Sequence, residues 1–275
     1  MIVDYHLHLR GPADGREGPI DHTVEAVERF AEKAAARGVD EIGLTEHMYY
    51  FRQLGPFLEH PYQRSKNGHD LDDYCEAITE GKRRGLPVRL GLEVEWLPGR
   101  EDELADALAP YPWDFLLGSV HLVEGEAVDL EPGVWERLSV EEVWERYFAA
   151  LRDLARSDLV DVLAHPDLVK IFGRRPAGET VAGLHAEAAE AIAAAGVAIE
   201  VSSAGLRKPV GELYPDAGLL ALCRERGVGA TLASDAHVAG DVGRDLEAAI
   251  AHLRAAGYTT VTVFESRRAR EAPLG

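Results

Sequence analysis

Residues 1–10 read MIVDYHLHLR, and taking this stretch as a β-strand decides the fold. Along an extended chain, side chains alternate faces. Asp4, His6 and His8 therefore share one face, while Val3, Tyr5 and Leu7 share the other. Two neighbouring imidazoles buried without partners are costly. Water at an exposed edge, hydrogen-bond partners or a metal ion must occupy the space between them. Similar short, β-branched or apolar runs recur downstream: EIGLTEH (41–47), VRLGLEVEW (88–96), FLLGSVH (115–121), LVDVLAHP (159–166), VAIEVSSA (197–204) and VGATLASDAH (228–237). A last run, TTVTVFE (259–265), is a weaker candidate.

Helical patterns separate these runs. They include TVEAVERFAEKAAARG, LDDYCEAITEGKRRG, EDELADALA, SVEEVWERYFAALRDLARS, ETVAGLHAEAAEAIAAAG, DAGLLALCRERG and DLEAAIAHLRAAG. Several end in Gly, and Ser139 with Glu142 forms a capping-box pattern before the fourth of them. Regular β/α alternation predicts parallel strands joined by right-handed crossovers. Seven or eight such units predict closure into a barrel, so the fold class is α/β. The length of 275 residues, 46% of them hydrophobic, fits one barrel domain over residues 1–275. The segment from Met48 to His69 is long, irregular and rich in aromatics, Pro and Arg, which predicts a functional loop or lid.

A formal charge of −19 argues against nucleic acid and anionic membranes as partners, because both need basic counter-charge. Cys75 and Cys223 offer no disulfide framework. The N-terminus lacks the pattern of a secretory signal, and no apolar run approaches the roughly 20 residues needed to span a bilayer. A cytoplasmic protein with reduced thiols is expected.

Barrel chemistry takes place at the C-terminal ends of the strands. Followed to their ends, the proposed strands deliver His6 and His8; Glu46 and His47; Glu93 and Glu95; His121; His165, followed by Asp167; and Asp235 with His237. Only VSSAG ends without such a group. Six of the eleven histidines therefore sit at strand ends. Imidazole and carboxylate donors with almost no Cys suit Zn, Fe or Mn. Eight or so ligands exceed the needs of one ion, so two or three ions with a bridging carboxylate are expected. Adjacent ions in a water-accessible mouth ionise water near neutral pH and clamp an oxyanion, which is hydrolase chemistry suited to a phosphate ester.

The set YHLH, LTEH, GLEVE, GSVH, AHPD and SDAH, in this order, resembles the PHP (polymerase and histidinol phosphatase) family. AHPDLVKIFG and SSAGLRKPVGELYP are similar to its histidinol-phosphate phosphatase branch. The resemblance implies a distorted TIM-like (β/α)7 barrel of the PHP type. It also implies a trinuclear site that hydrolyses phosphomonoesters; the mechanism expected there is in-line attack by a metal-bridging hydroxide, with no protein nucleophile. It places His6, His8, Glu93 and Asp235 on one ion, Glu93, His121 and His165 on a second with Glu93 bridging, and His47 with His237 on a third. Where the family often adds a third N-terminal histidine, this chain has Asp14, an alternative oxygen ligand; His22 is a weaker substitute. Without either, two ions remain.

Phosphate grip is expected from Arg207 and Lys208, which follow the strand lacking a metal ligand, and from Lys170, with Arg52 and Arg64 behind them. Asp235 or His237 is expected to handle a proton. Glu46 reads as a hydrogen-bond partner, Glu95 as a support or surface residue, and Asp167 as an orienting partner of His165. His60, His69, His185 and His252 read as ordinary loop or helix residues, the last two on helix surfaces. The expected activity is that of a histidinol-phosphate phosphatase of histidine biosynthesis. The alternatives are a PHP phosphoesterase acting on a nucleotide or sugar phosphate, and a non-catalytic metal-binding module.

Overall fold

The computed structural model describes residues 1–12 and 18–275. In chain order its strands are β1 (Val3–Leu7), β2 (Glu41–Leu44), β3 (Val88–Leu90), β4 (Glu93–Glu95), β5 (Leu117–Ser119), β6 (Leu122–Val123), β7 (Glu126–Ala127), β8 (Val162–Leu163), β9 (Ala198–Ser202), β10 (Ala230–Ala233), β11 (Thr260–Glu265) and β12 (Arg268–Pro273). The α-helices are α1 (Val24–Ala36), α2 (Pro61–Lys66), α3 (Leu71–Arg83), α4 (Glu101–Leu108), α5 (Val140–Arg156), α6 (Gly178–Ala195), α7 (Ala217–Glu225) and α8 (Leu246–Ala255). Side-chain caps fix several of their starts. Thr23, Asp70 and Asp216 accept backbone N–H bonds at the starts of α1, α3 and α7, and Ser139 with Glu142 completes the capping box of α5.

The parallel strands form two sheets, β1-β2-β3 and β10-β9-β8-β5-β4. Both seams between them are stitched. At one, Leu7 bridges Ala236 in parallel and His8 N donates to Ala236 O at 2.9 Å. At the other, His47 bridges Glu93 in parallel and Glu93 N donates to Glu46 O at 2.9 Å. The strands thus close into a ring, with β3 and β4 acting as one strand broken at Gly91 and Leu92. Gly91 is required there, since a Cβ would stand 2.7 Å from Thr45 Cγ2 and 2.9 Å from Phe115 Cζ. Asp4 straps the first seam from inside. Its carboxylate accepts from Ser234 N (2.7 Å), Ser234 Oγ (2.6 Å) and Gly243 N (2.7 Å). Burial nonetheless pushes its carboxyl up to about 6.

The TTVTVFE run does not join the ring. As β11 it pairs antiparallel with β12. Arg267 N in its turn donates to Asp114 O, and Phe264 packs on Phe115 and Tyr5 (ring centroids 5.7 and 6.3 Å). The hairpin therefore covers the N-terminal ends of the strands and leaves the opposite rim for chemistry. The segment 48–69 is a packed wall: short 3-10 turns and α2 bury Met48, Tyr50, Phe51, Leu54 and Gln63. No helix among the described residues is long and apolar enough to cross a membrane.

Candidate metal centre

The C-terminal rim gathers donors from six of the seven ring strands. Glu93 stands at the centre. Its Oε2 lies 3.4 Å from His6 Nε2 and 3.8 Å from His8 Nε2, and closer still to His47 Nδ1. Its Oε1 lies 3.4 Å from His121 Nε2 and 3.3 Å from His165 Nε2. Asp235 Oδ1 is 3.3 Å from His8 Nε2, 3.8 Å from His6 Nε2 and 3.5 Å from His237 Nδ1. The rings of His47 and His237 stack on His8 at 4.3 and 4.1 Å. Donors bound to one ion at about 2.0–2.2 Å in tetrahedral geometry stand roughly 3.4 Å apart, so these separations suit shared coordination.

Three overlapping sets have their donor atoms within 4.8 Å of one another: His6, His8 and Asp235; His6, Glu93 and His165; and His8, His47 and His237. The sequence reading divided the residues in nearly this way. The geometry adds His8 to the third set and brings His6 into the second, with His121 at its edge.

The fit is tested by what is missing around these atoms. His6 Nε2, His8 Nε2 and Glu93 Oε2, which face one another, are buried with no hydrogen bond. Buried polar atoms left unpaired are expensive, and several facing one space call for a cation. The electrostatics agree. Burial alone would raise the Glu93 carboxyl, but the imidazoles of His47, His6 and His121 outweigh it and hold the group well below the usual carboxylate range. Burial likewise opposes ionisation of Asp235, and His6, His8 and His237 reverse the effect. Burial pushes the His47 imidazole down to about 3 against the pull of Glu93, whereas His6 rises despite burial through Glu200 and Glu93, and His121 rises to about 10 through Glu95 and Glu93, so a cation entering there displaces the protons of those two rings.

A second ring of carboxylates fixes the imidazoles. His6 Nδ1 donates to Glu200 Oε2 at 2.8 Å, and His121 Nδ1 donates to Glu95 Oε2 at 3.0 Å. Glu46 Oε2 faces His8 Nδ1 at 3.6 Å. Each arrangement leaves Nε2 aimed at the shared space. Glu95 is itself held by Gln63 Nε2 (3.0 Å), and Glu46 by Arg10 Nη1 (3.0 Å). Two donors also sit on strained backbone: His165 and Asp235 have φ of 25° and 52°, a region that side chains other than Gly rarely adopt and that clusters at functional sites.

These donors floor a cavity of about 230 Å³. Tyr49, His60, Tyr62 and Gln63 form one wall, and Asp129 and Leu130 face them. Lys208 stands at the rim, exposed, and Tyr214 closes the far side.

Several expectations need correction. Lys170 does not reach the cavity: it is fully buried, its ammonium held by Asp167 Oδ2 and Leu213 O, both at 2.7 Å. Arg207 does not line the cavity either. Its guanidinium donates to the Ser203 and Ser234 carbonyls and faces Asp245, tying two strand-end loops together. Asp167 serves Lys170 and Asp216 N rather than His165. Arg52 pairs with Asp70, and Arg64 with Leu58 O. His22 Nε2 lies behind the centre, 3.5 Å from Glu46 Oε1. His60 is a cavity residue, not an ordinary loop residue. His185 is buried against Phe148 and Trp144, while His252 is half-exposed on Pro215 O. Asp14 lies outside the described residues.

The sequence reading missed Glu200. It sits in the middle of β9, where a carboxylate flanked by Ile199 and Val201 is itself the signal: a charge in a buried strand needs a partner.

The comparisons agree with this geometry. The PHP domain family model matches residues 19–204. A probable histidinol-phosphatase of Deinococcus radiodurans is 32% identical over 272 residues, covering 97% of this chain and 98% of that one. The histidinol-phosphatase of Bacillus subtilis is 28% identical over 82% of this chain and 91% of its own. Among solved structures, a histidinol phosphate phosphatase of Lactococcus lactis, complexed with zinc, L-histidinol and phosphate, superposes with a TM-score of 0.78. The match covers 98% of both chains at 21% identity, so it supports the fold. With a barrel rim that gathers the donors named from sequence and a family model spanning most of the chain, this protein belongs to the PHP domain family.

Proposed function

We infer that the chain is a metal-dependent phosphomonoester hydrolase acting on histidinol phosphate, releasing histidinol and phosphate. The observation that carries the chemistry is the buried, unpaired donor set around Glu93 on the floor of an open cavity. The substrate reading is supported by the D. radiodurans relative, similar along nearly the whole chain, and by the ligands named for the L. lactis structure. His6, His8, His47, Glu93, His121, His165, Asp235 and His237 would hold two or three divalent ions, with Asp14 a further candidate. Bound there, such ions supply an ionised water and a positive field for phosphoryl oxygens, which a protein of charge −19 lacks elsewhere.

The chain's own residues do the rest. Glu200, Glu95 and Glu46 hold the ring tautomers. The aromatic wall of residues 49–62 limits solvent access, and Lys208 offers a cation at the rim. Asp235 and His237 lie 3.5 Å apart, and whichever of the two the ions leave free would handle the proton of the departing alcohol. The test is a panel of phosphate esters offered to protein loaded with Zn, Fe or Mn. Histidinol phosphate should give the highest kcat/KM. A hundredfold preference for a nucleotide or sugar phosphate rejects the substrate, and no activity with any metal leaves a metal-binding module.

A further inference from the structure

The strand that ends without a metal donor, β9, ends instead on a tyrosine it borrows. Ser202, its last residue, pairs antiparallel with Tyr214: Ser202 N donates to Tyr214 O at 2.7 Å, and Tyr214 N donates to Ser202 O at 3.0 Å. The Tyr214 ring then lies along the cavity wall, edge-on to the metal-centre imidazole of His165 at 6.3 Å.

Three features lock it there. The Lys170 ammonium, pinned by Asp167, sits 5.3 Å from the ring centroid. Gly205 passes so close that a Cβ would stand 2.0 Å from Glu212 O, 2.9 Å from Tyr214 Cε2 and 3.1 Å from Tyr214 Cζ. The backbone bridge fixes the remaining freedom. All this order ends in an unsatisfied group, because the Tyr214 hydroxyl is buried with no hydrogen-bond partner among the described residues. A buried phenol normally finds a partner, and an orphan one costs stability. Burial and the surrounding carboxylates keep it firmly protonated, hence a donor.

We propose that the Tyr214 hydroxyl donates a hydrogen bond to a non-bridging oxygen of the bound phosphoryl group, and is thus a catalytic residue of this site. This rests on the phosphatase reading above. It also gives the buried Lys170 a role: the ammonium holds the ring that contacts phosphate instead of contacting phosphate itself. No proton is transferred; the phenol supplies one fixed dipole where negative charge gathers.

The experiment compares wild type with Tyr214→Phe, both metal-loaded, on an alkyl phosphate (histidinol phosphate) and an aryl phosphate (4-nitrophenyl phosphate). It also measures inhibition by inorganic phosphate, bound metal and Tm. A hydrogen bond to a charged oxygen predicts a fall in kcat/KM of roughly ten- to a hundredfold on both esters. Phosphate inhibition should weaken, metal content should stay unchanged, and Tm should be equal or higher because the orphan hydroxyl is gone. Unchanged kcat/KM and phosphate inhibition overturn the proposal. So does a loss confined to the alkyl ester, which marks a proton donor to the leaving group, or a loss of metal, which marks a structural support. If Tyr214→Phe does not fold, 3-fluorotyrosine placed at position 214, which keeps the ring and its packing but makes the phenol more acidic, must change phosphate inhibition, and no change overturns the proposal. Inactivity of wild type on both esters rejects the phosphatase reading itself.

Discussion

Replacing Glu200 by Gln changes almost no atoms and tests whether the outer carboxylates govern the centre. Glu200 is buried on β9 and accepts from two donors, His6 Nδ1 at 2.8 Å and His165 N at 3.2 Å. A Gln of the same shape has one acceptor oxygen and one NH2 group. One of the two donors must then face N–H. If it is His6, the ring takes the other tautomer, moves its proton to Nε2 and loses its ligating lone pair. If it is His165, a buried backbone N–H is orphaned and the strained turn at φ 25° loses its tether. Loss of such a supporting partner typically weakens metal affinity or activity ten- to a hundredfold. At about 1.4 kcal/mol per tenfold, that is roughly 1.4–2.7 kcal/mol. The assay is zinc competition against a chromogenic chelator, run beside kcat/KM at saturating zinc. A dissociation constant within twofold of wild type, with unchanged kcat/KM, refutes the reasoning.

Three further outcomes follow. Lys170→Met strands the buried Asp167 carboxylate, so stability should fall by about 3–5 kcal/mol and Tm by roughly 6–20 °C; a shift under about 2 °C on thermal melting contradicts the buried pair. Chelation should abolish phosphatase activity and lower Tm, and zinc or manganese should restore both, with about 4 kcal/mol of added stability at a thousandfold excess over the dissociation constant; activity that survives complete chelation contradicts the site. Burial pushes the thiols of Cys75 and Cys223 up to about 12, so the native protein should resist a thiol reagent at pH 8 and react at both positions only once unfolded.

Much of the fold was legible because burial leaves a periodic trace. Runs such as 228–237 are apolar until the strand ends and polar where the rim begins, and that change of character marked the candidate metal donors. TTVTVFE carries the same trace, but local pattern does not reveal a strand's partner, and it became half of a hairpin at the opposite end. The donors themselves were legible because imidazoles crowded at the ends of apolar strands are costly unless a cation or a carboxylate meets them. The phosphate-facing residues were not. Arg207 and Lys170 have the right chemistry and position in the chain, yet whether a long cation reaches the cavity depends on which carbonyl or carboxylate claims it first: Ser234 O for one, Asp167 for the other. Glu200 was passed over for the converse reason, because its role comes from His6, 194 residues away in sequence.

The most direct test is anomalous diffraction at the zinc edge from crystals grown with zinc. Peaks are predicted on both sides of Glu93, one within about 2.0–2.2 Å of Oε1 and of His165, the other as close to Oε2 and flanked by His6, His8 and Asp235. A map with no peak at the C-terminal rim, or with zinc only at surface carboxylates, contradicts the account.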